Sequence, residues 1–421
     1  MLKPVFLIVS QVYVPDPAAV GQYVADAAAE MARRGYRTIV YASARGYDDP
    51  SKVYPARETI DGVEVRRLPL SSFGKSSIVV RLLAQCLFLL QAIARGLFTP
   101  GLCGLMVSTS PPFAGIAGVV IGKFRRVPVK YWLMDLNPDQ MVAMKILPTT
   151  SMAVRLFDAL NRAILRQASD IVVLDRFMAE RVLRKIDVGH KIETIPPWPH
   201  DDQLENIPHA ENAFRRQHVA GGQFVVMYSG NHSPANPLTT LLDAAGLMQD
   251  EPRLLLMCIG GGGGKQEVDD KVVAGASNIR SFPYQPLDQI RFSLSAADVH
   301  VVSIGNEVVG IVHPCKVYGA MAVSRPILLL GPSPNHVSDL IEHHHIGWQI
   351  AHGDVEGAQR VLRSILATPP AELQAMGEKA AALAAGALGK QVLMCRFCDV
   401  LQRGLPKPGG GPVGRSAPDA R

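Results

Sequence analysis

Apolar runs typical of buried strands alternate with amphipathic helical patterns along most of the chain. The first run, Val5–Val9, has no polar position and is typical of a parallel strand buried on both faces. Residues 22–34 then repeat apolar positions at helical spacing, and Gly35 provides a typical helix end. Because strands continue to alternate with helices, we predict right-handed βαβ units and a parallel sheet.

The pattern breaks once, at residues 194–200, TIPPWPH, where three prolines in seven residues are typical of an interdomain linker. We therefore predict an α/β protein with two Rossmann-like, doubly wound parallel-sheet domains, residues 1–198 and 199–387. Residues 404–421 are rich in Gly and Pro and are predicted to be a disordered tail. Ligands of open α/β sheets bind outside the carboxyl ends of the strands, so we expect both sheets to direct loops into a central cleft.

Composition narrows the class of protein. Apolar residues make up 48% and charged residues 19% of the 421 residues, which excludes a disordered chain. The net charge of +6 suits an anionic membrane face or an anionic substrate, and the lack of a Lys/Arg-rich run argues against a nucleic-acid partner. Six cysteines are too few for a disulfide scaffold, so a reducing compartment is expected.

The most apolar segment, residues 78–99, has an uncharged centre of 13 residues between Arg81 and Arg95. A membrane span needs about 20 residues, so a spanning helix is disfavoured. Two interpretations remain open: an interfacial helix in the headgroup plane, or a plain buried helix. We expect interfacial contact with an anionic membrane surface.

Three motifs resemble other kinds of site only superficially. The glycine run at residues 260–264 lacks the acidic residue that a dinucleotide-binding fingerprint places after the next strand. Cys395 and Cys398 lie in a helical pattern without a redox context, and the three consecutive histidines at residues 343–345 point in different directions on a helix. We therefore expect no metal and no redox cofactor.

Residues 306–331 carry the most informative pattern. A loop containing Gly310 leads through Pro314 into a helix, and Lys316 lies in its first turn. Backbone N–H groups at a helix start bind anions, and the lysine adds a positive charge there. The plainer interpretation is an ordinary turn into a helix, with Lys316 in solvent.

Four short motifs occur in register. Residues 314–326, PCKVYGAMAVSRP, are similar to the element P-S-K-x-Y-E-x-M-A-x-G-R-P of bacterial group 1 (family 4 type) glycosyltransferases, which have the GT-B fold. Residues 228–231, YSGN, resemble the same family after the first strand of its C-terminal domain. Residues 110–112 with 134–139, and the AAD at residues 296–298, match two further family motifs.

Two departures from the family pattern concern charge. The positions of the family's E-x7-E glutamates hold Ile311 and Gly319, and Glu307 lies four residues earlier. Residues 232–240 contain neither the arginine nor the lysine that the family carries after the first strand of its C-terminal domain. A site without these groups is expected to be altered in donor, weakened or inactive.

The resemblance implies a glycosyltransferase of the hexosyltransferase type, related to those of surface polysaccharide synthesis. Its C-terminal domain would bind a nucleotide-diphosphate sugar, UDP-linked, and its N-terminal domain a polyprenyl-linked or saccharide acceptor. It further implies a helix at residues 388–403 that rejoins the first domain, retention of anomeric configuration and no metal cofactor. The expected location is the cytoplasm, peripheral on the inner face of the cytoplasmic membrane. Two alternatives stay open: a non-catalytic partner of a polysaccharide assembly system, and a nucleotide-sugar epimerase on the same fold.

The candidate catalytic residues are Asp135, for acceptor activation or orientation, and Lys316, for the charge that develops on the leaving diphosphate. The residues expected to bind the donor are Gly21, Gly230, Asn231, Gly261, Tyr284, Glu307, Gly310, Ile311, Val312 and Lys316.

Overall fold

A computed structural model of the chain describes residues 3–16, 18–46, 49, 51–71, 78–199 and 206–408. Two sheets organise these residues. The first has the strand order β3-β4-β2-β1-β5-β6-β7-β8, and every neighbouring pair is parallel except β3 with β4. Its strands are β1 Val5–Val9, β2 Arg37–Ser43, β3 Arg57–Ile60, β4 Val63–Leu68, β5 Leu102–Ser108, β6 Val129–Trp132, β7 Asp170–Val173 and β8 Ile192–Thr194.

The second sheet is parallel throughout, with the order β11-β10-β9-β12-β13-β14. Its strands are β9 Phe224–Ser229, β10 Leu254–Ile259, β11 Ile279–Phe282, β12 Val299–Ser303, β13 Ile327–Leu330 and β14 Gly347–Ile350. Alternate residues of β10 enter two separate apolar clusters, so this sheet is buried on both faces. The two-domain α/β architecture predicted from the sequence is confirmed.

The helices that connect the strands of the first sheet are α1 Ala19–Arg33, α2 Ile78–Leu97, α3 Ala114–Arg125, α4 Asp139–Ala143, α5 Met152–Gln167 and α6 Arg176–Lys185. Those of the second half are α7 Ala213–His218, α8 Thr239–Gly246, α9 Lys265–Val273, α10 Ile290–Ser295, α11 Lys316–Ala322, α12 His336–His344, α13 Val355–Ala367, α14 Pro370–Ala385 and α15 Lys390–Gln402.

The last helix, α15, returns to the N-terminal domain. Its apolar face belongs to the same core as the first sheet, and the ring of Phe397 lies 4.2 Å from that of Trp132, centroid to centroid. Trp198, from the linker, stacks on Trp132 at 5.8 Å. At the surface, Arg34 donates hydrogen bonds of 2.6 Å to both Asp399 and Gln402. The first domain is therefore built from the two ends of the described chain.

The polypeptide passes between the domains twice, and a residue beside each passage contacts the carboxylate of Asp26. The indole N–H of Trp198 donates to Asp26 of α1 at 2.9 Å, and Lys390, the first residue of α15, pairs with the other oxygen of Asp26 at 3.1 Å. The linker and the start of α15 are thus held side by side on α1.

One sequence expectation about the C-terminal part changes. Residues 404–408, assigned to a disordered tail, lie against the first domain: Leu405 packs on its core and the carbonyl of Pro406 accepts from Tyr36. Residues 409–421 lie outside the described residues. The stretch Pro370–Gln402 is long and apolar enough to cross a membrane by length and composition, but it consists of two helices, α14 and α15, which pack on different domains.

Candidate active site

A cavity of about 320 Å³ lies between the two domains, at the carboxyl ends of β9 and β10. The N-terminal domain contributes Ala19 and Tyr23 of α1. The C-terminal domain contributes most of the wall, and Lys316 is the one Lys, Arg, Asp or Glu among the described lining residues. The volume lies in the range of small-molecule sites, and its position matches the cleft expected for open α/β sheets.

Lys316 reaches the cavity from the first turn of α11. Its ammonium donates a hydrogen bond of 3.3 Å to the Asn236 side chain and lies 5.3 Å from the ring centroid of Tyr228. No carboxylate pairs with it among the described residues, and burial lowers the pKa of Lys316 to about 8. A cation that has no carboxylate beside it and lies at a cavity is suited to bind an anionic ligand, whereas a structural ion pair would need a partner.

Two glycine turns shape the wall beside Lys316. Gly230 follows β9 with φ of 139°, and a Cβ built there would lie 2.5 Å from the Lys316 side chain, so the turn requires glycine. The carbonyl of Asn231 accepts from the Tyr228 hydroxyl at 2.6 Å. The carbonyl of Gly261 accepts from the backbone N–H of His232 at 2.8 Å, which ties the second turn to the first.

Of the expected donor residues, Gly230, Tyr284 and Lys316 line this cavity together. Asn231 and Gly261 belong to the adjoining turns but do not line it. Tyr284 remains 58% exposed at the rim.

Gly21 is expected in a loop facing the cavity, but it lies in the first turn of α1. It is buried, and a Cβ there would lie 3.2 Å from the backbone of Tyr13. Close helix packing therefore explains this glycine, while its neighbours Ala19 and Tyr23 face the cavity.

Two of the expected backbone donors, those of residues 311 and 312, are already used. The N–H groups of Ile311 and Val312 both donate to the carbonyl of Val308, at 3.0 and 3.1 Å. Gly310, with φ of 70°, packs so closely on the Phe177 carbonyl that a Cβ would lie 2.5 Å away. The prediction that this segment binds an anion is therefore wrong, because it forms a contact between the two domains instead.

The same contact continues into a short β-bridge between the domains. Asp135 pairs with Val312, and the N–H of Leu136 donates to the carbonyl of Ile311 at 3.1 Å. Interdomain docking, rather than a ligand, thus accounts for the conformation of residues 310–312.

Glu307 faces a different cavity, of about 330 Å³, bounded by α4, α5, α6 and residues 307–311. Its backbone carbonyl accepts from Arg181 at 3.3 Å, and Lys185 pairs with Asp139 and Asp158 on the opposite wall. Lys316 does not line this cavity. Glu307 therefore does not replace a donor-site glutamate in this arrangement.

Asp135 lies at the carboxyl end of β6, three residues beyond Trp132. Burial raises the pKa of its carboxyl to about 6. Its backbone N–H donates to Thr109, but within the described part of the chain no side chain or backbone donor reaches its carboxylate. Its charge also contributes, after burial, to the raised pKa of Cys315, the residue before Lys316. Asp135 does not line the interdomain cavity but a small pocket of the first domain, with Thr109 and Asn161. Its backbone bridge to Val312 nevertheless places it beside the segment that leads to Lys316.

Sequence reasoning missed a buried chain of four polar side chains beside the cavity, the interdomain hydrogen-bond chain. Asp175 and the Nδ1 of His313 are 2.8 Å apart, the Nε2 of His313 lies 2.8 Å from the Tyr318 hydroxyl, and that hydroxyl lies 3.1 Å from the Nε2 of His336. Burial is the largest influence on Asp175 and opposes its ionisation, but the hydrogen bond and charge of His313, the charge of His336 and the Met178 N–H together hold the pKa of Asp175 below its usual value.

The local sequence does not predict the interdomain hydrogen-bond chain, because Asp175 and His313 are 138 residues apart. The only local sign is the position of His313 beside the Pro314–Lys316 turn.

A larger cavity, of about 1170 Å³, lies elsewhere, on the first domain between α1 and α15. Several of its charged residues are already paired, among them Arg37 with Glu64 and Lys390 with Asp26. None of the candidate site residues lines it. The smaller interdomain cavity, which holds a half-buried cation without a carboxylate partner among the described residues, is the better candidate for chemistry.

Two curated relatives are similar to part of the chain. It is 25% identical over 232 residues to the probable glycosyltransferase WbjE of Pseudomonas aeruginosa, covering 55% of this chain and 58% of the relative. It is 22% identical over 191 residues to the putative colanic acid biosynthesis glycosyl transferase WcaI of Escherichia coli K12, covering 45% and 47%. The chain thus spans about half the length of the curated relatives it matches.

Among solved structures, Anabaena Alr3699/HepE in complex with UDP and glucose superimposes with a TM-score of 0.69, covering 94% of this chain and 99% of that one at 15% identity. This likeness shows the GT-B fold. Two family models match in succession: the glycosyl transferase 4-like domain over residues 18–198 and the glycosyl transferases group 1 domain over residues 210–383. With both domain models matched in order and the interdomain cleft in place, the chain consists of a glycosyl transferase 4-like domain followed by a glycosyl transferases group 1 domain.

Proposed function

We propose that the protein transfers a hexosyl group from a UDP-linked sugar to a lipid-linked or saccharide acceptor in surface polysaccharide synthesis. The observation that carries this proposal is the half-buried Lys316 ammonium, which faces the interdomain cavity and has no carboxylate partner among the described residues. An anionic diphosphate would supply the missing negative charge. The UDP and glucose bound to HepE and the colanic acid pathway named for WcaI support the choice of donor and pathway.

In this proposal Lys316 stabilises the negative charge that develops on the leaving diphosphate. A half-buried ammonium interacts more strongly with that charge than a hydrated one does, because the surrounding dielectric is low. Asp135, from the opposite domain, orients or deprotonates the acceptor hydroxyl. A carboxyl with a pKa of about 6 is ionised at neutral pH and still basic enough to accept a proton in the transition state.

The proposed transfer needs no divalent metal, since fixed cations replace it, and it retains the anomeric configuration, as the family resemblance implies. Among the described residues, no three His, Cys, Asp or Glu side chains converge on a metal-binding point. Product anomer, determined by NMR of the glycosylated acceptor, tests retention directly.

We further propose that the protein works at the inner face of the cytoplasmic membrane, through α2. Leu82, Leu83 and Leu90 on this helix are 42, 54 and 62% exposed, and Phe98 just beyond it is 85% exposed. Phe124, at the end of the neighbouring helix α3, is 74% exposed. An apolar stripe of this kind suits a helix that lies in the headgroup plane.

A second candidate function follows from the missing carboxylates. Gly319 lines the cavity where the family carries a glutamate, and a Cβ built there would make only an ordinary van der Waals contact, 3.8 Å from Leu294. A non-catalytic partner that binds a nucleotide sugar without turnover is compatible with this departure.

One experiment separates the two candidates. The purified protein is screened by thermal shift against UDP-, GDP- and ADP-sugars, and the stabilising donor is then incubated with membrane lipid extract. A ligand at 100 times its Kd stabilises by about 2.7 kcal/mol. Stabilisation by a UDP-sugar with release of UDP supports the transferase. Stabilisation without UDP release favours the non-catalytic partner, and no stabilisation by any donor refutes both.

A further inference from the structure

We propose that the interdomain hydrogen-bond chain of Asp175, His313, Tyr318 and His336 positions the Lys316 ammonium in the cavity, so that these four are positioning residues for the transfer reaction. The inference rests on the proposed function of the Lys316 site. It assigns a role to side chains that contact the ammonium only through the backbone between them.

Two members of the interdomain hydrogen-bond chain lie on either side of Lys316 in the sequence. His313 and Tyr318 flank it, and the 2.8 Å hydrogen bond between their side chains closes residues 313–318 into a tethered turn. The backbone N–H of Cys315 donates to the carbonyl of His313 at 2.9 Å inside this turn. The direction of the Lys316 side chain is therefore fixed from both sides.

Helix α11 cannot set that direction by itself. It is seven residues long and its N-cap residue, Cys315, makes no side-chain capping hydrogen bond. Helices this short have little intrinsic stability, so tertiary contacts decide where they point. Tyr318 supplies such a contact, because it is 2% exposed and bonds to both histidines.

The interdomain hydrogen-bond chain also joins four segments from the two domains. Asp175 caps α6 of the first domain by accepting from the N–H of Met178 at 2.8 Å, and its second oxygen bonds to His313. His336 begins α12 of the second domain. The hydrogen bonds therefore tie the turn that carries Lys316 to the first domain, which also carries Asp135.

Every bond in the chain is satisfied in either of two proton arrangements. In one, His336 donates to the Tyr318 oxygen, Tyr318 donates to His313, and His313 donates to Asp175. In the other, a protonated His313 donates to Asp175 and to Tyr318, whose hydroxyl then donates to His336. Removal of one member leaves buried polar atoms unpaired in both arrangements, so the turn loses its defined position.

The test uses Tyr318→Phe and Asp175→Asn, each made in the wild type and in Lys316→Met. Asn is a good N-cap, so α6 keeps its start while the ionic bond to His313 is lost. Tyr41→Phe is the matched control, because Tyr41 is also fully buried and bonds through its hydroxyl to Thr99 at 2.9 Å, far along the chain from the cleft.

With a UDP-sugar as donor, we expect Tyr318→Phe and Asp175→Asn each to lower kcat/KM by about 10- to 100-fold, since small misplacements of a catalytic group have effects of this size. In the Lys316→Met background the same changes should alter kcat/KM by less than about 2-fold, because residues that act as a unit are non-additive. Tyr41→Phe should leave kcat/KM unchanged. Equal losses in both backgrounds would overturn the inference and leave a purely structural chain.

A second readout needs no donor. Lysines are reductively methylated with ¹³C, and the Lys316 resonance, assigned through Lys316→Met, is titrated with pH. The ammonium should titrate near its low, buried value in the wild type and in Tyr41→Phe, and move toward the ordinary lysine range in Tyr318→Phe. An unshifted titration in Tyr318→Phe refutes positioning. A wild type that neither binds UDP nor transfers refutes the proposed function, and this titration still decides the inference.

Discussion

Replacing Lys316 by methionine should raise the stability of the ligand-free protein while it removes activity. Burial lowers the pKa of Lys316 to about 8, against roughly 10.4 for a free lysine, so the charged form is disfavoured in the fold by at most about 3 kcal/mol. Methionine has a similar length and no charge. Allowing for partial solvent access through the cavity, we expect the Lys316→Met protein to gain about 1 to 3 kcal/mol at pH 7.

The sign of the pH dependence follows from the same pKa. Below pH 8 the lysine is protonated in both states and the whole penalty is present. Between pH 8 and about 10.4 the unfolded chain binds more protons than the folded one, so wild-type stability rises with pH in this window. The penalty is absent above it. Urea unfolding of wild type and Lys316→Met at pH 7, 8 and 9 should therefore converge as the pH rises.

Activity should move in the opposite direction. Loss of one charge-assisted hydrogen bond to the diphosphate costs about 1.5 to 3 kcal/mol, or roughly 10- to 150-fold in kcat/KM for the donor. Lys271→Met is the control, since Lys271 pairs with Asp243 on the surface of α9 and should change neither quantity by much. A Lys316→Met protein that loses stability, or that keeps its kcat/KM, refutes the assignment of Lys316 to a ligand-binding role.

Three further outcomes are expected. Asp135→Asn should lower kcat/KM at neutral pH and abolish the rise in activity that we expect of the wild type around pH 6, where burial places the pKa of Asp135; an unchanged pH profile contradicts the proposed role of Asp135. Leu83→Asp with Leu90→Asp should reduce cosedimentation with anionic vesicles, whereas Leu183→Asp with Leu247→Asp, also at exposed leucines, should not; equal binding by both double variants argues against α2 as the membrane face. Transfer should continue in excess EDTA, and full loss with recovery on adding Mg²⁺ or Mn²⁺ would show that the reaction needs a metal.

The sequence predicts those features that depend on local pattern. Val5–Val9 is identified because five consecutive apolar residues have few alternatives to a buried parallel strand. The start of α11 at Lys316 is identified from the preceding proline. In contrast, β3 is half exposed at a sheet edge and has no apolar alternation to reveal it.

What the sequence could not predict is the docking of one domain on the other. Gly21 and Gly310 are both expected near a ligand because glycine permits close approach, yet the neighbour that approaches is the protein's own backbone. The bond between Asp175 and His313 joins two domains and leaves no local trace. Glycine and charge patterns indicate that a close contact exists, but only the tertiary arrangement identifies the partner.

The return of α15 to the first domain has a consequence for synthesis of the chain. Trp132 and Trp198 leave the ribosome early, but Phe397, which completes their cluster, is made 199 residues after Trp198. At 5 to 20 residues per second this interval lasts on the order of 10 to 40 s. During that time the aromatic cluster of the first domain lacks the ring that completes it, and the whole second domain is translated before that ring is made.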